Sequence, residues 1–306
     1  MGPRPSPGRQ RTFRGHDVTT TLGVLFDGIA YGMLLFLISV GLSVTMGLMR
    51  FINLAHGVFA MTGGYMTATL ASRYGLDLFV ALPIAFVSGA GLSLVLEATL
   101  YRHFYRRGPL DQVLLTVGII FVATAIAIYV FGSQQQPIRI PEVLGGRLDV
   151  AGVELSRYRL FLVVVGIVIT LALVFGLERT RFGARIRAAV DQQTVAAAMG
   201  IRVDRVFQVT FAIGGGLAAV GGALGVEVLG LDPNFAARYL VYFLLVVVVG
   251  GPGSIVGTLI AALLLGVADV SGKYYVPGIG AFVIYLAMIV LLFLFPHGLF
   301  AKRRAR

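Results

Sequence analysis

The chain has 306 residues, of which 58% are hydrophobic and only 13% charged, against roughly 25% charged in an ordinary globular protein. With a mean hydropathy of +0.90, so few charges exclude a soluble fold of this size and a disordered chain alike. The absence of cysteine removes disulfides, thiolate metal sites and cysteine nucleophiles. The net charge of +11 falls in a few connecting stretches and at the two ends, as anionic headgroups and the positive-inside rule favour, so membrane lipid rather than nucleic acid is the expected partner.

In chain order, residues 1–20 carry Arg4, Arg9, Arg11 and Arg14 among Pro3, Pro5 and Pro7 and read as a disordered basic tail. The apolar run that follows exceeds the 7–15 residues of a signal-peptide core. A membrane span needs about 20 apolar residues. Candidates are 22–49, 55–71, 78–101, 113–131, 160–177, 207–229 and 281–295. The stretch 240–270 is apolar but cut by Gly250-Gly251-Pro252-Gly253-Ser254. The expected fold is therefore an all-α, polytopic membrane bundle of eight to nine segments with two Gly-broken or re-entrant segments. Residues 21–298 form one transmembrane domain and 299–306 a basic tail.

Charge sets the orientation. Arg102, His103, Arg106 and Arg107, the 178–206 stretch, and the C-terminal Lys302-Arg303-Arg304-Ala305-Arg306 read as cytoplasmic. The mixed charges of 132–157, with Arg139, Glu142, Arg147, Asp149, Glu154 and Arg157, read as external. Counting crossings between cytoplasmic stretches gives parity conflicts at two places. One is Asn53-Leu54-Ala55-His56-Gly57 with Gly63-Gly64 after it; the other is Gly250 to Ser254. Paired interrupted segments in two halves of a chain point to a transport site. The candidate pathway residues are Asn53, His56, Gly57, Gly63, Gly64, Gly250, Gly251, Gly253 and Ser254.

Small residues at four-residue spacing, Gly28/Gly32, Gly221/Gly225 and Gly253/Gly257, allow helix backbones to approach in lipid. Ionisable residues within the apolar segments are Asp27, Glu97, Glu227, Asp269 and Lys273, mostly near segment ends, and they form no mid-span proton relay. No HExxH motif occurs and no Walker A motif, since Gly272-Lys273 is followed by Tyr274. The chain is read as no enzyme, with no metal and no cofactor of its own. Within 178–206, an Ala-rich helix is expected over 184–199, ended by Gly200 at C′. Such a charged helix between spans suits docking to a partner.

Three motifs resemble one family. Residues 181–206 (RFGARIRAAVDQQTVAAAMGIRVDRV) look like the cytoplasmic coupling loop of branched-chain amino acid ABC transporter permeases. Residues 48–65 (LMRFINLAHGVFAMTGGY) resemble that family's first-half signature, with Val58 where an acidic residue is frequent. Residues 246–269 (VVVVGGPGSIVGTLIAALLLGVAD) resemble its second-half signature. The likeness spans about residues 22–298, and the length fits the smaller, H-type subunit.

The resemblance implies a multi-pass protein of the bacterial inner membrane with a cytoplasmic C-terminus. It implies a second permease subunit, as homo- or heterodimer, two cytoplasmic ATPase subunits carrying ATP and Mg, and a periplasmic or extracellular substrate-binding protein. It assigns ATPase coupling to Gly183, Arg187, Ala188, Asp191, Thr194, Met199 and Gly200, with Arg187, Asp191 and Thr194 on one helix side. The alternatives are a permease for urea or short amides and an ion-coupled secondary transporter of small zwitterions.

Overall fold

The computed structural model describes residues 9–49, 51–105, 107–138, 140–150, 152–296 and 298–300. Arg4, Arg106, Arg139, His297, the basic residues after 300 and the side chain of Asp191 lie outside the described residues. The chain forms α1 (Arg9–Met49), α2 (His56–Tyr74) and α3 (Leu78–Leu96). A π-helical turn, Glu97–Tyr101, and α4 (Arg102–Phe104) prolong α3. Next come α5 (Pro109–Phe131), β1 (Arg147–Val150), β2 (Val153–Ser156) and α6 (Arg157–Glu178). The rest is α7 (Arg181–Asp191), α8 (Gln193–Ala198), α9 (Val203–Leu229), α10 (Phe235–Gly250), α11 (Ile255–Tyr275) and α12 (Gly280–Leu294). Residues 9–20, expected within a tail, belong to the first turns of α1.

Among the described residues, six helices are long and apolar enough to cross a membrane: α1, α3 with its extension, α5, α6, α9 and α11. That is fewer than the eight or nine segments expected. The expected span 55–71 coincides with α2, whose Thr62, Thr67, Thr69, Ser72 and Arg73 dilute its apolar content. The interrupted stretch 240–270 resolves into two helices, α10 and α11. α10 and α12 have 16 and 15 residues, and at 1.5 Å per residue rise about 24 and 22 Å, short of a hydrocarbon core about 30 Å thick. The bundle is not purely helical either. β1 and β2 pair antiparallel, with Leu148 opposite Leu155, and Gly152 (φ +83) completes their turn, its N–H bonded to Asp149 Oδ1 at 2.8 Å.

Burial separates two kinds of apolar helix. In the apolar stretches of α1 and α9, 83% of residues are buried, against 28% in α3, 17% in α5 and 11% in α6. α1 and α9 therefore form the protein-facing core, and α5 and α6 leave most of their apolar surface exposed. Missing side chains let the core backbones touch. A Cβ on Gly41 would strike the backbone of Gly214, joining α1 to α9. Gly63 and Gly222 do the same between α2 and α9, and Gly89 and Gly215 between α3 and α9. On the other flank, Gly28 abuts Val267, Gly32 abuts Ala262, and Gly266 abuts Gly32, locking α1 to α11. Packing in lipid depends on such close approach, because tails compete equally for apolar side chains.

Direction follows from these contacts. Gly28 lies on Val267 and Gly47 on Gly253, so α1 and α11 are antiparallel. Gly41 lies on Gly214 and Gly221 on Ile38, so α1 and α9 are antiparallel too. One end of the bundle thus gathers the end of α1, the start of α9 with α7 and α8, and the start of α11. The opposite end holds the start of α1, the end of α11 and the hairpin, where Gly23 meets Val153 and Tyr275 donates to Thr21 Oγ1 at 3.0 Å.

Candidate functional site

The first interruption carries the chain from α1 into α2. Asn53 is fully buried, and its Oδ1 accepts from the Tyr101 hydroxyl at 3.3 Å. Its Nδ2 has no hydrogen-bond partner among the described residues. Phe51 packs tilted against Tyr101 and edge-on to Tyr105, at ring distances of 5.1 and 5.5 Å. The π-helical turn brings Tyr101 here, and π turns are frequent at functional sites. Tyr105 donates to Glu97 Oε1 at 3.1 Å. Burial first, then the adjacent carboxylate, push that hydroxyl well above the usual phenol range, so it stays a donor. His56 opens α2, and its Nε2 donates to Ile38 O on α1 at 3.0 Å. Gly57 is pressed to α10: a Cβ would stand 3.1 Å from Ala236 Cα.

The second interruption has a different chemistry. Gly251 (φ +90) and Gly253 (φ +85) take left-handed backbone that side chains rarely adopt. Gly250 packs against the backbone of Gly257 and Thr258, folding the end of α10 onto the start of α11. Ser254 is the N-cap of α11, its Oγ accepting from Gly257 N at 3.0 Å. The Gly253 N–H donates to Ser43 O at 2.9 Å, and Thr258 Oγ1 donates to Ser43 Oγ at 2.7 Å. The N–H groups of Gly253 and Gly257 at this helix start are therefore bonded within the protein.

The two interruptions converge on α1 rather than on each other. Ile38 receives His56, and Ser43 receives Gly253 and Thr258; the two anchors are five residues, or about 7.5 Å, apart along the helix. Gly63 and Gly64 lie within α2, where they admit the α9 backbone and Leu231 respectively. Ser43, Thr258 and Ile38 were missed at the level of sequence. The signal was faint: a Gly/Ser/Thr cluster, Gly41-Leu42-Ser43-Val44-Thr45-Met46-Gly47, inside an otherwise apolar run.

The connection between α6 and α9 holds the remaining candidates. The single helix expected over 184–199 is two helices, because Gln192 (φ −149, ψ 93) breaks the ladder between α7 and α8. The expected common face of Arg187 and Thr194 is interrupted there. Thr180 caps α7, accepting from Gly183 N at 3.1 Å. Gly183 is buried, and a Cβ on it would strike Leu177 O at the end of α6. Arg187 donates to that same carbonyl while its side chain reaches the surface. Ala188 is half-buried, and Thr194, Met199 and Gly200 are exposed. Gly200 (φ +81) ends α8 as expected. Its N–H bonds Ala197 O at 2.9 Å, and Ile201 N bonds Ala196 O at 3.0 Å. These two bonds are a Schellman closure.

This element is not a free surface helix. Ile186 and Ala189 are buried in the common core, and α7 packs on α1, α6 and α9. Beside it lies an apolar crevice of about 360 Å³ lined by Phe182, Ile186, Gly176 and Leu177 together with Gly41 and Gly214. The exposed basic face of α7 thus sits one layer away from the point where α1 and α9 touch backbone to backbone. α1 in turn anchors both interruptions, through Ile38 and Ser43.

Comparison with known proteins places the chain in a family. Residues 24–293 match the family described as branched-chain amino acid transport system / permease component. The permease protein BraD of the high-affinity branched-chain amino acid transport system of Pseudomonas aeruginosa is 26% identical over 91% of this chain and 95% of its own length. The LivH counterpart from Escherichia coli K12 is 27% identical over 91% and 94%. A probable LivH from Methanocaldococcus jannaschii is 26% identical over 90% and 91%. No solved structure matches. On its family match over nearly the whole chain, this multi-pass membrane protein belongs to the branched-chain amino acid transport permease family.

Proposed function

We propose that the chain is the membrane subunit of an ATP-driven importer of branched-chain amino acids, paired with a second permease subunit. Its ATPases, carrying ATP and Mg, are separate cytoplasmic chains, and a binding protein delivers substrate on the other side. The observation that carries this reading is the α7–α8 element. It presents Arg181, Arg185 and Arg187 outward while Ile186 and Ala189 key it to α1 and α9. The arginines of this end, with Arg102 and Arg107, suit a cytoplasmic face. Residues after α12 meet the end of α10 at this same end of the bundle, where Leu299 N bonds Val249 O at 2.8 Å. Relatives named for branched-chain amino acid transport support the substrate class.

In this mechanism ATP binding closes the partner subunits, the push enters at α7, and α1 transmits it to the starts of α2 and α11. The test is substrate-stimulated ATPase activity and uptake in the reconstituted complex. Arg187→Glu reverses the docking charge. Gly200→Pro removes a bonded N–H and forbids the positive φ. Each is expected to lower transport per ATP hydrolysed at least about tenfold, with the complex still assembled. A double variant that keeps uptake and stimulation near normal refutes the coupling role.

A further inference from the structure

The interruptions leave unused a polar cluster at the other end of α11. Asp269 is 1% exposed, six residues before the helix end at Tyr275 and so about 9 Å inside it. Its Oδ2 accepts from Lys273 Nζ at 2.6 Å. Its Oδ1 is buried and has no hydrogen-bond partner among the described residues. Lys273 is 50% exposed and marks the mouth of the cluster, its ammonium 5.8 Å from the centre of the Tyr31 ring. Tyr31, Tyr239 and Tyr242 all lie within electrostatic range of the Asp269 carboxylate. Tyr242 continues the aromatic wall to Tyr285 on α12, with ring centres 6.2 Å apart.

A buried carboxylate oxygen without a donor is expensive, and an ionisable group kept at membrane depth marks a functional position. An i,i+4 ion pair formed only for helix stability would not need this depth or four tyrosines. Beyond the cluster the end of α11 is open, with Tyr274 and Tyr275 exposed. The start of α12 sits directly on the cluster, since a Cβ on Gly280 would stand 2.6 Å from Lys273 Cα.

We propose that Asp269 and Lys273 form a zwitterion-binding site at the outer end of the pathway. This rests on the importer reading given above. The ligand's ammonium donates to Asp269 Oδ1, the open acceptor. Its carboxylate accepts from Lys273 Nζ, which has three donors and uses one on Asp269. The rings of Tyr31, Tyr239, Tyr242 and Tyr285 flank the ammonium and an aliphatic side chain. The dipole of the ion pair thus complements the dipole of an α-amino acid, and a neutral amide or a sugar satisfies neither charge.

The experiment is uptake of radiolabelled leucine by the full complex in proteoliposomes at saturating binding protein, with assembly checked by size-exclusion chromatography. Asp269→Asn and Lys273→Gln are each expected to reduce uptake at least about tenfold. Lys273→Gln carries the test if the buried Asp269→Asn fails to assemble, because its side chain is half-exposed. The exchanged pair, Asp269→Lys with Lys273→Asp, keeps an i,i+4 ion pair but inverts its polarity, and uptake is expected to stay low. Recovery of uptake to within about twofold of wild type in the exchanged pair, or normal uptake by Lys273→Gln, makes the pair structural and overturns the site. A wild-type complex that takes up no leucine, isoleucine or valine overturns the importer reading itself, before any variant is compared.

Discussion

At the scale of single residues, glycine has three distinct uses here. Gly251, Gly253 and Gly200 supply positive φ. Gly41, Gly63, Gly214 and Gly222 admit a neighbouring backbone. Others, such as Gly91, face open space. This changes which substitutions are informative. A bulky residue at Gly253 strains the backbone and crowds Gly47, so loss of transport there would report misfolding as much as a blocked path. A cleaner comparison is Gly63→Leu against Gly91→Leu. The first drives a side chain into the α9 carbonyl of Ala219 and is expected to cost about 2 kcal/mol or more. The second is expected to change stability by less than about 0.5 kcal/mol. Thermal unfolding of the two variants in detergent checks this: equal midpoints would show that the α2–α9 approach is not tight.

At the scale of elements, much of the chain was legible. Hydropathy and Gly/Pro punctuation located the long spans, the 250–254 interruption and the C′ role of Gly200. They missed the bend at Gln192, because Ala-rich sequence on both sides favours helix and nothing in the residues themselves marks the break. They also missed that α7 is anchored, since Ile186 and Ala189 look ordinary in a helix with many arginines. That anchor has a measurable consequence. Ile186→Ala leaves a cavity beside the existing crevice, and core truncations of this kind cost about 2–5 kcal/mol where the site cannot collapse. α7 is then expected to loosen from α1 and α9, lowering transport per ATP severalfold while the ATPases still bind. Unchanged coupling in the variant would place force transmission elsewhere.

At the scale of the whole molecule, the central position of α1 was not legible. In water an apolar face signals burial, but in a bilayer lipid and protein are equally apolar partners, so hydropathy cannot tell α1 from α5. The difference lies in small and polar residues on faces that only tertiary contacts reveal, such as Ser43 against Gly253 and Thr258. For the same reason both candidate interruptions were found while their shared anchor on α1 was not. α1 is gripped by α9 and α11, touched by α2 and α11 at their starts, and reached from outside the bundle through α7. The proposed drive of α1 by an ATP-powered push is tested most directly by leucine uptake into proteoliposomes holding this chain with the proposed partner permease, ATPases and binding protein. Uptake is expected only with ATP on the α7 side and with every subunit present; uptake driven by a proton or sodium gradient without the ATPases would contradict it.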